Sequence, residues 1–208
     1  MSIDISVGVL VGSKEDWNES PAFYEHYLRQ FEAINDFLRA NGLPEHREPL
    51  SLIGTTDFHR SAKSELYPFR DFAEEIESRT GFEFRHLLEC GRVGGIFLPL
   101  PFDQPLVPDP KFGIEIGVVG SSYRLFEECR ILAKVLGIYG DIEFEPIDRV
   151  VADIDAALEA FHRISEDKLP IPRPESSGHQ WPIGAGGCHK LYEAAKFSVK
   201  HKAAVCIH

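Results

Sequence analysis

The sequence is short of cations, of sulfur and of long apolar runs. Lys and Arg together number 22 against 33 Asp and Glu, a formal net charge of -11. That deficit disfavours a general nucleic-acid binder, whose affinity comes mostly from cations that displace counterions from phosphates. It also disfavours an anionic membrane surface. The expected partners therefore include neither nucleic acid nor membrane, and a basic protein fits the sign of the charge. One Met against 15 Phe points to a rigid aromatic core rather than a pliable Met-rich binding face. Cys90, Cys129, Cys188 and Cys206 form no CxxC pair and no regular framework. Free thiols in a reducing cytoplasm are the expectation that follows. No apolar stretch is long enough to cross a bilayer, and residues 1–10 carry Asp4 and no basic start, so Val7 to Val11 is not a signal peptide. There is no internal repeat and no low-complexity tract.

What is present suits a globular α/β or α+β chain. At 208 residues the expectation is a single domain over 1–208, with a mixed sheet of about five strands packed by about five helices. Ile5 to Val11 is short, β-branched and closed by Gly12-Ser13, which predicts a buried strand. Ser20 as N-cap and Pro21 at the first helical position open a helix. Its apolar side is Tyr24, Tyr27, Leu28, Phe31, Ile34 and Leu38, and Asn41-Gly42 stops it. A short strand is expected at Leu50 to Ile53, and a second helix from about Pro68 to Arg79 with Phe69, Phe72 and Ile76 on one face. Val93 to Leu100 and Phe112 to Val119 predict two strands joined by a proline-rich connection. Gly120-Ser121-Ser122 opens a third helix with the stripe Leu125, Phe126, Cys129, Leu132, Val135 and Leu136. A strand near Ile142 to Phe144, a helix over Ile154 to Ile164, a Pro-rich loop at about 168–182, a helix from about Gly187 to His201 and an apolar end at Ala203 to Ile207 complete the pattern.

Four segments carry residues suited to chemistry. The turn Gly12-Ser13-Lys14, with Asp16 beyond it, offers backbone N–H groups and a cation for a phosphate or carboxylate. Over about ten residues Val11 to Trp17 resembles the opening turn of the N5-carboxyaminoimidazole ribonucleotide mutase family. Glu15 stands where that family has its second Ser, and Gly184-Ala185-Gly186-Gly187 falls too late for the family's order, so membership is not adopted. Cys188, followed by His189, sits after that glycine run at the expected start of the last helix, where the helix N-terminus activates a thiol. The loop Thr55 to Ser64 holds His59, a group suited to proton transfer near neutral pH. His179, Cys188, His189, His201, Cys206 and His208 have the right chemistry for zinc. However, twelve residues on one helix place His189 and His201 roughly 18 Å apart, so no metal and no cofactor is expected.

Each segment also has an ordinary explanation as a turn, a packed small residue or a solvated loop. The favoured expectation is therefore a non-enzymatic binding or interaction protein, in the manner of bacterial immunity proteins. The alternative is a small-molecule enzyme or ligand binder that holds its anion at Gly12-Ser13-Lys14.

Overall fold

The computed structural model describes residues 4–10, 21–50, 59–61, 63–135 and 180–207. Along these the elements are β1 (Asp4–Val7), α1 (Pro21–Ala40), β2 (His59–Ser61), α2 (Lys63–Thr80), α3 (Arg85–Val93), β3 (Gly95–Leu98), β4 (Val118–Ser121), α4 (Ser122–Val135), α5 (Gln180–His201) and β5 (Val205–Ile207). A 3-10 turn at Pro110–Phe112 lies in the connection from β3 to β4. The chain is mixed α/β.

One mixed sheet runs in the order β2-β1-β5-β3-β4. β1 is antiparallel to β2 and to β5, β5 is antiparallel to β3, and β3 is parallel to β4. The alternation of side chains along these strands sorts the core into two layers. Ile5, Val7, Phe97, Val118, Val205 and Ile207 face α2, α3, α4 and α5. Val119, Ile96, Leu98, Ala204 and Cys206 face α1, which covers them with Phe31, Ile34, Phe37 and Leu38. Burial on both faces is why β3 and β5 are continuously apolar rather than alternating.

The connection from β3 to β4 is fixed from two sides. Leu106 exchanges both backbone hydrogen bonds with Val119, at 2.8 and 2.9 Å, which covers the outer edge of β4. On the other side the buried Gln30 of α1 donates to the Gly113 carbonyl and accepts from the Glu115 N–H. Phe37 meets Phe112 edge-on.

Several expectations are corrected. The first strand ends at Val7, because Gly8 turns the chain at φ +80°, and Val9 and Leu10 are already helical. α2 begins at Lys63, so Pro68 lies inside the helix instead of opening it. A proline there removes one helical hydrogen bond, but Phe69, Phe72, Ala73 and Ile76 are buried against the sheet and its helices, and packing prevails over local propensity. α3 has no counterpart in the sequence reading. The strand expected at Phe112–Val119 is displaced to Val118–Ser121, after a left-handed Gly113 and an irregular stretch. The last helix starts at Gln180, so the glycine run lies within it. The strand expected at Leu50–Ile53 falls largely outside the described residues. So do the strand at Ile142–Phe144, the helix at Ile154–Ile164 and residues 168–179 of the Pro-rich loop. The first helix, the third helix and the strand at the apolar C-terminal run stand close to their expected places.

Two glycines give a test of packing against backbone freedom. A Cβ on Gly120 would meet the Phe97 ring at 2.6 Å and the Cys90 thiol at 2.7 Å. On Gly113 it would meet nothing within 4 Å, but the residue has φ +67°. Gly120→Ala is expected to destabilise by about 1–3 kcal/mol through overpacking, and Gly113→Ala by only about 1 kcal/mol through left-handed strain. Urea unfolding of both variants checks the order, and equal losses would contradict the packing account.

Candidate functional surface

Charged side chains occur in two settings, buried at helix ends and exposed along helix faces. The most enclosed is Glu128 of α4. It belongs to the same helical stripe as Leu125, Cys129 and Leu132, yet its carboxylate accepts from the His86 N–H at 3.1 Å and the Leu87 N–H at 2.7 Å. These are first-turn donors of α3, which would otherwise lack partners. The capping carboxylate comes from another helix because Phe84, at the N-cap position, has no side chain able to accept. Burial pushes the Glu128 carboxyl up to about 8, against the opposing pull of those two N–H groups.

His86 is buried beside it. Its Nδ1 accepts from the Ser121 N–H at 2.9 Å, so the ring proton is on Nε2, which donates to the Asp103 carbonyl at 3.2 Å. Burial lowers its pKa to about 4, which keeps the ring neutral. Ser121 donates to the Leu100 carbonyl and accepts from the Arg124 N–H, capping α4. Arg124 pairs with Glu127 and with Asp103, and its hydrogen bond holds the Asp103 carboxyl below its ordinary range. A second enclosed pair lies after α1. His46 donates from Nε2 to Glu48 Oε2 at 2.6 Å, and the same oxygen accepts from the Ala204 N–H at 2.8 Å. Asn35 clamps the His46 backbone with bonds of 2.8 and 2.9 Å. Glu128, His86, Ser121, His46 and Glu48 tie elements together and are closed to solvent, whereas Arg124 and Asp103 reach the surface.

The exposed charges are mainly acidic. On α2 the inward positions are Phe69, Phe72, Ala73, Ile76 and Thr80, which leaves Asp71, Glu74 and Glu75 on the outward face at i, i+3 and i+4. Glu83 in the turn and Glu89 on α3 extend this acidic surface. Arg70 and Arg79 pair along the helix with Glu74 and Glu75, and Arg85 with Glu83. On the opposite layer α1 exposes Glu25, Glu32 and Asp36.

Among the described residues, those singled out from sequence are not gathered into one site. Gly12, Ser13, Lys14 and Asp16 lie outside the described residues. His59 opens β2, the outer strand, with its backbone opposite Ser6. Cys188 is in the third turn of α5, fully buried, and its thiol donates toward the Cys129 carbonyl at 3.5 Å. The helix-start environment expected for it is therefore absent. His189 is exposed one position further on. Cys206 and Cys188 face opposite sides of the sheet, and among the described residues no three His, Cys, Asp or Glu side chains are grouped to hold a metal. Also among them, no helix is long and apolar enough to cross a membrane. Sequence reasoning missed Glu128, His86, His46 and Glu48. Only Glu128 had a legible signal, a charge in phase with an apolar stripe.

The described molecule is thus an acidic mixed α/β protein whose enclosed polar groups hold the fold and whose exposed helix faces carry the charge. By sequence the chain belongs to the family described as "Putative DNA-mimic protein", whose model matches residues 54–207. No curated protein and no solved structure matches it significantly. The family assignment overturns the expectation of an immunity-protein-like interaction module unrelated to nucleic acid. It gives no support to an enzyme or to a binder of a small phosphate or carboxylate. The expectation of no connection with nucleic acid is corrected for the same reason. The charge that disfavours binding DNA is the charge that an imitation of DNA requires.

The enclosed groups make stability depend on pH. Glu128 has a folded pKa above that of the unfolded chain. The folded state therefore holds a proton that the unfolded state has lost, and stability falls as pH rises from about 4.5 to about 8. His86 has a depressed folded pKa, so stability falls as pH drops from about 6.5 to about 4. Between pH 6.5 and 8 the His86 window has been passed and the Glu128 effect amounts to at most on the order of 2 kcal/mol. Urea midpoints across that window should decline for the parent protein and decline less for Glu128→Gln. Parallel profiles would remove Glu128 as the cause.

Proposed function

We propose that this chain is a DNA mimic whose acidic surface occupies the DNA-binding face of a basic, DNA-binding protein. The observation that carries the reading is the family match over residues 54–207. The matched span includes α2 and α3 and excludes α1, which directs attention to Asp71, Glu74, Glu75, Glu83 and Glu89 rather than to the acidic face of α1.

The physical fit is one of sign and spacing. Duplex DNA presents one charge about every 3.4 Å along each strand. An α-helix advances about 1.5 Å per residue, so carboxylates one turn apart are about 5.4 Å apart along its axis. A rigid helix therefore displays negative charge at a spacing of the same order, without the cost of ordering a flexible tail. Arg79 and Arg85 pair with Glu75 and Glu83, but solvent-facing ion pairs of this kind are weak and readily exchanged for a partner's cations, and the more enclosed Arg70 reaches Glu74 only at 3.8 Å. The net charge of -11 adds long-range attraction that speeds encounter and is screened by salt.

Mutual exclusion is the diagnostic property of a mimic. Proteins that elute from a duplex-DNA column should be captured by the immobilised chain at low salt and then displaced by free duplex. The variant Asp71→Lys/Glu74→Lys/Glu75→Lys should bind them at least about tenfold more weakly, a change of about 1.4 kcal/mol. Capture that duplex DNA fails to reverse would overturn the mimic reading. Unchanged affinity of the triple variant would remove α2 from the contact surface.

A further inference from the structure

All four cysteines are buried and reduced, but they are not equivalent. Cys206 lies on the α1 side of the sheet, and Cys90 lies on the other side beneath Gly120. Cys129 of α4 and Cys188 of α5 face each other where these two helices pack. The Cys188 thiol donates toward the Cys129 carbonyl oxygen, with Sγ 3.5 Å from it. The pair belongs to the same buried core as Leu125, Leu132, Leu191 and Tyr192.

We propose that Cys129 and Cys188 form a redox pair that closes a disulfide between α4 and α5 on exposure to a peroxide. In the balanced step, one thiol attacks the peroxide and becomes a sulfenic acid with release of water. The other sulfur then displaces hydroxide from it, and the hydroxide takes up the second thiol proton as water. Two thiols and one hydrogen peroxide give one disulfide and two waters. Burial keeps the Cys129 thiol protonated well above its ordinary range, so the reaction is slow and proceeds through brief parting of the helices. The bond would link two helices that are distant in sequence and would stabilise chiefly by restricting the unfolded chain.

The test uses the whole folded chain treated with hydrogen peroxide, then unfolded, alkylated and mapped without reductant. The expected result is alkylation of Cys90 and Cys206 alone, a linked pair of peptides holding Cys129 and Cys188, and a higher urea midpoint that reductant reverses. Cys129→Ser and Cys188→Ser should each abolish the link, whereas Cys206→Ser should leave it intact. Because Ser variants in the core are at risk of misfolding, the mapping of the parent protein stands as a decision by itself. Alkylation of all four thiols, a link between any other pair, or a link that forms only in the fully unfolded chain would overturn the proposal.

Discussion

The arrangement of the helices depends on one carboxylate reaching the end of another helix. Glu128 leaves the apolar stripe of α4 to take the first-turn N–H groups of α3. A helix as short as α3, nine residues, has little stability of its own and relies on such contacts. Once it is held, His86 lies where it can accept from Ser121 at the end of β4, and Cys90 lies beneath Gly120. The edge of the sheet, the start of α4 and the connection at Asp103 are thereby joined through one set of hydrogen bonds. Burying this carboxylate has a desolvation cost, which shows in its raised pKa.

A similar economy governs the other layer. Glu48 serves both His46 and the Ala204 N–H, so the segment after α1 is fastened to the beginning of β5. Buried polar groups of this kind are often mistaken for chemistry. Here Glu128, His86 and Glu48 each bond a backbone group, and the exposed carboxylates lie outside, on α1, α2, the turn that follows α2, and α3. That division agrees with membership of a family described by mimicry of DNA.

Much of the fold was legible in local patterns. Ser20-Pro21 at one end and Asn41-Gly42 at the other framed α1 closely, and the Leu125-to-Val135 stripe marked α4. Less was legible where a distant contact overrode a local signal. Pro68 reads as a helix start, but tertiary packing carries α2 back to Lys63. The glycine run reads as a break, yet α5 continues through it. α3 has no cap in its own sequence, since its cap is supplied from 42 positions away. The surface was visible only as a net charge. Which carboxylates share an outward face followed from the buried set on α2, and the meaning of that face came from the family.

The place of β5 has a kinetic consequence. It lies between β1 and β3, so the antiparallel β1–β2 pair and the parallel β3–β4 pair touch each other only through this strand. Ile5 is paired with Ile207, a separation of about 200 residues, and such long-range closures slow folding. The sheet is continuous only when this three-residue strand fills the gap between the two half-sheets. β5 therefore stands in the sheet like the keystone of an arch, a short piece that bears both sides.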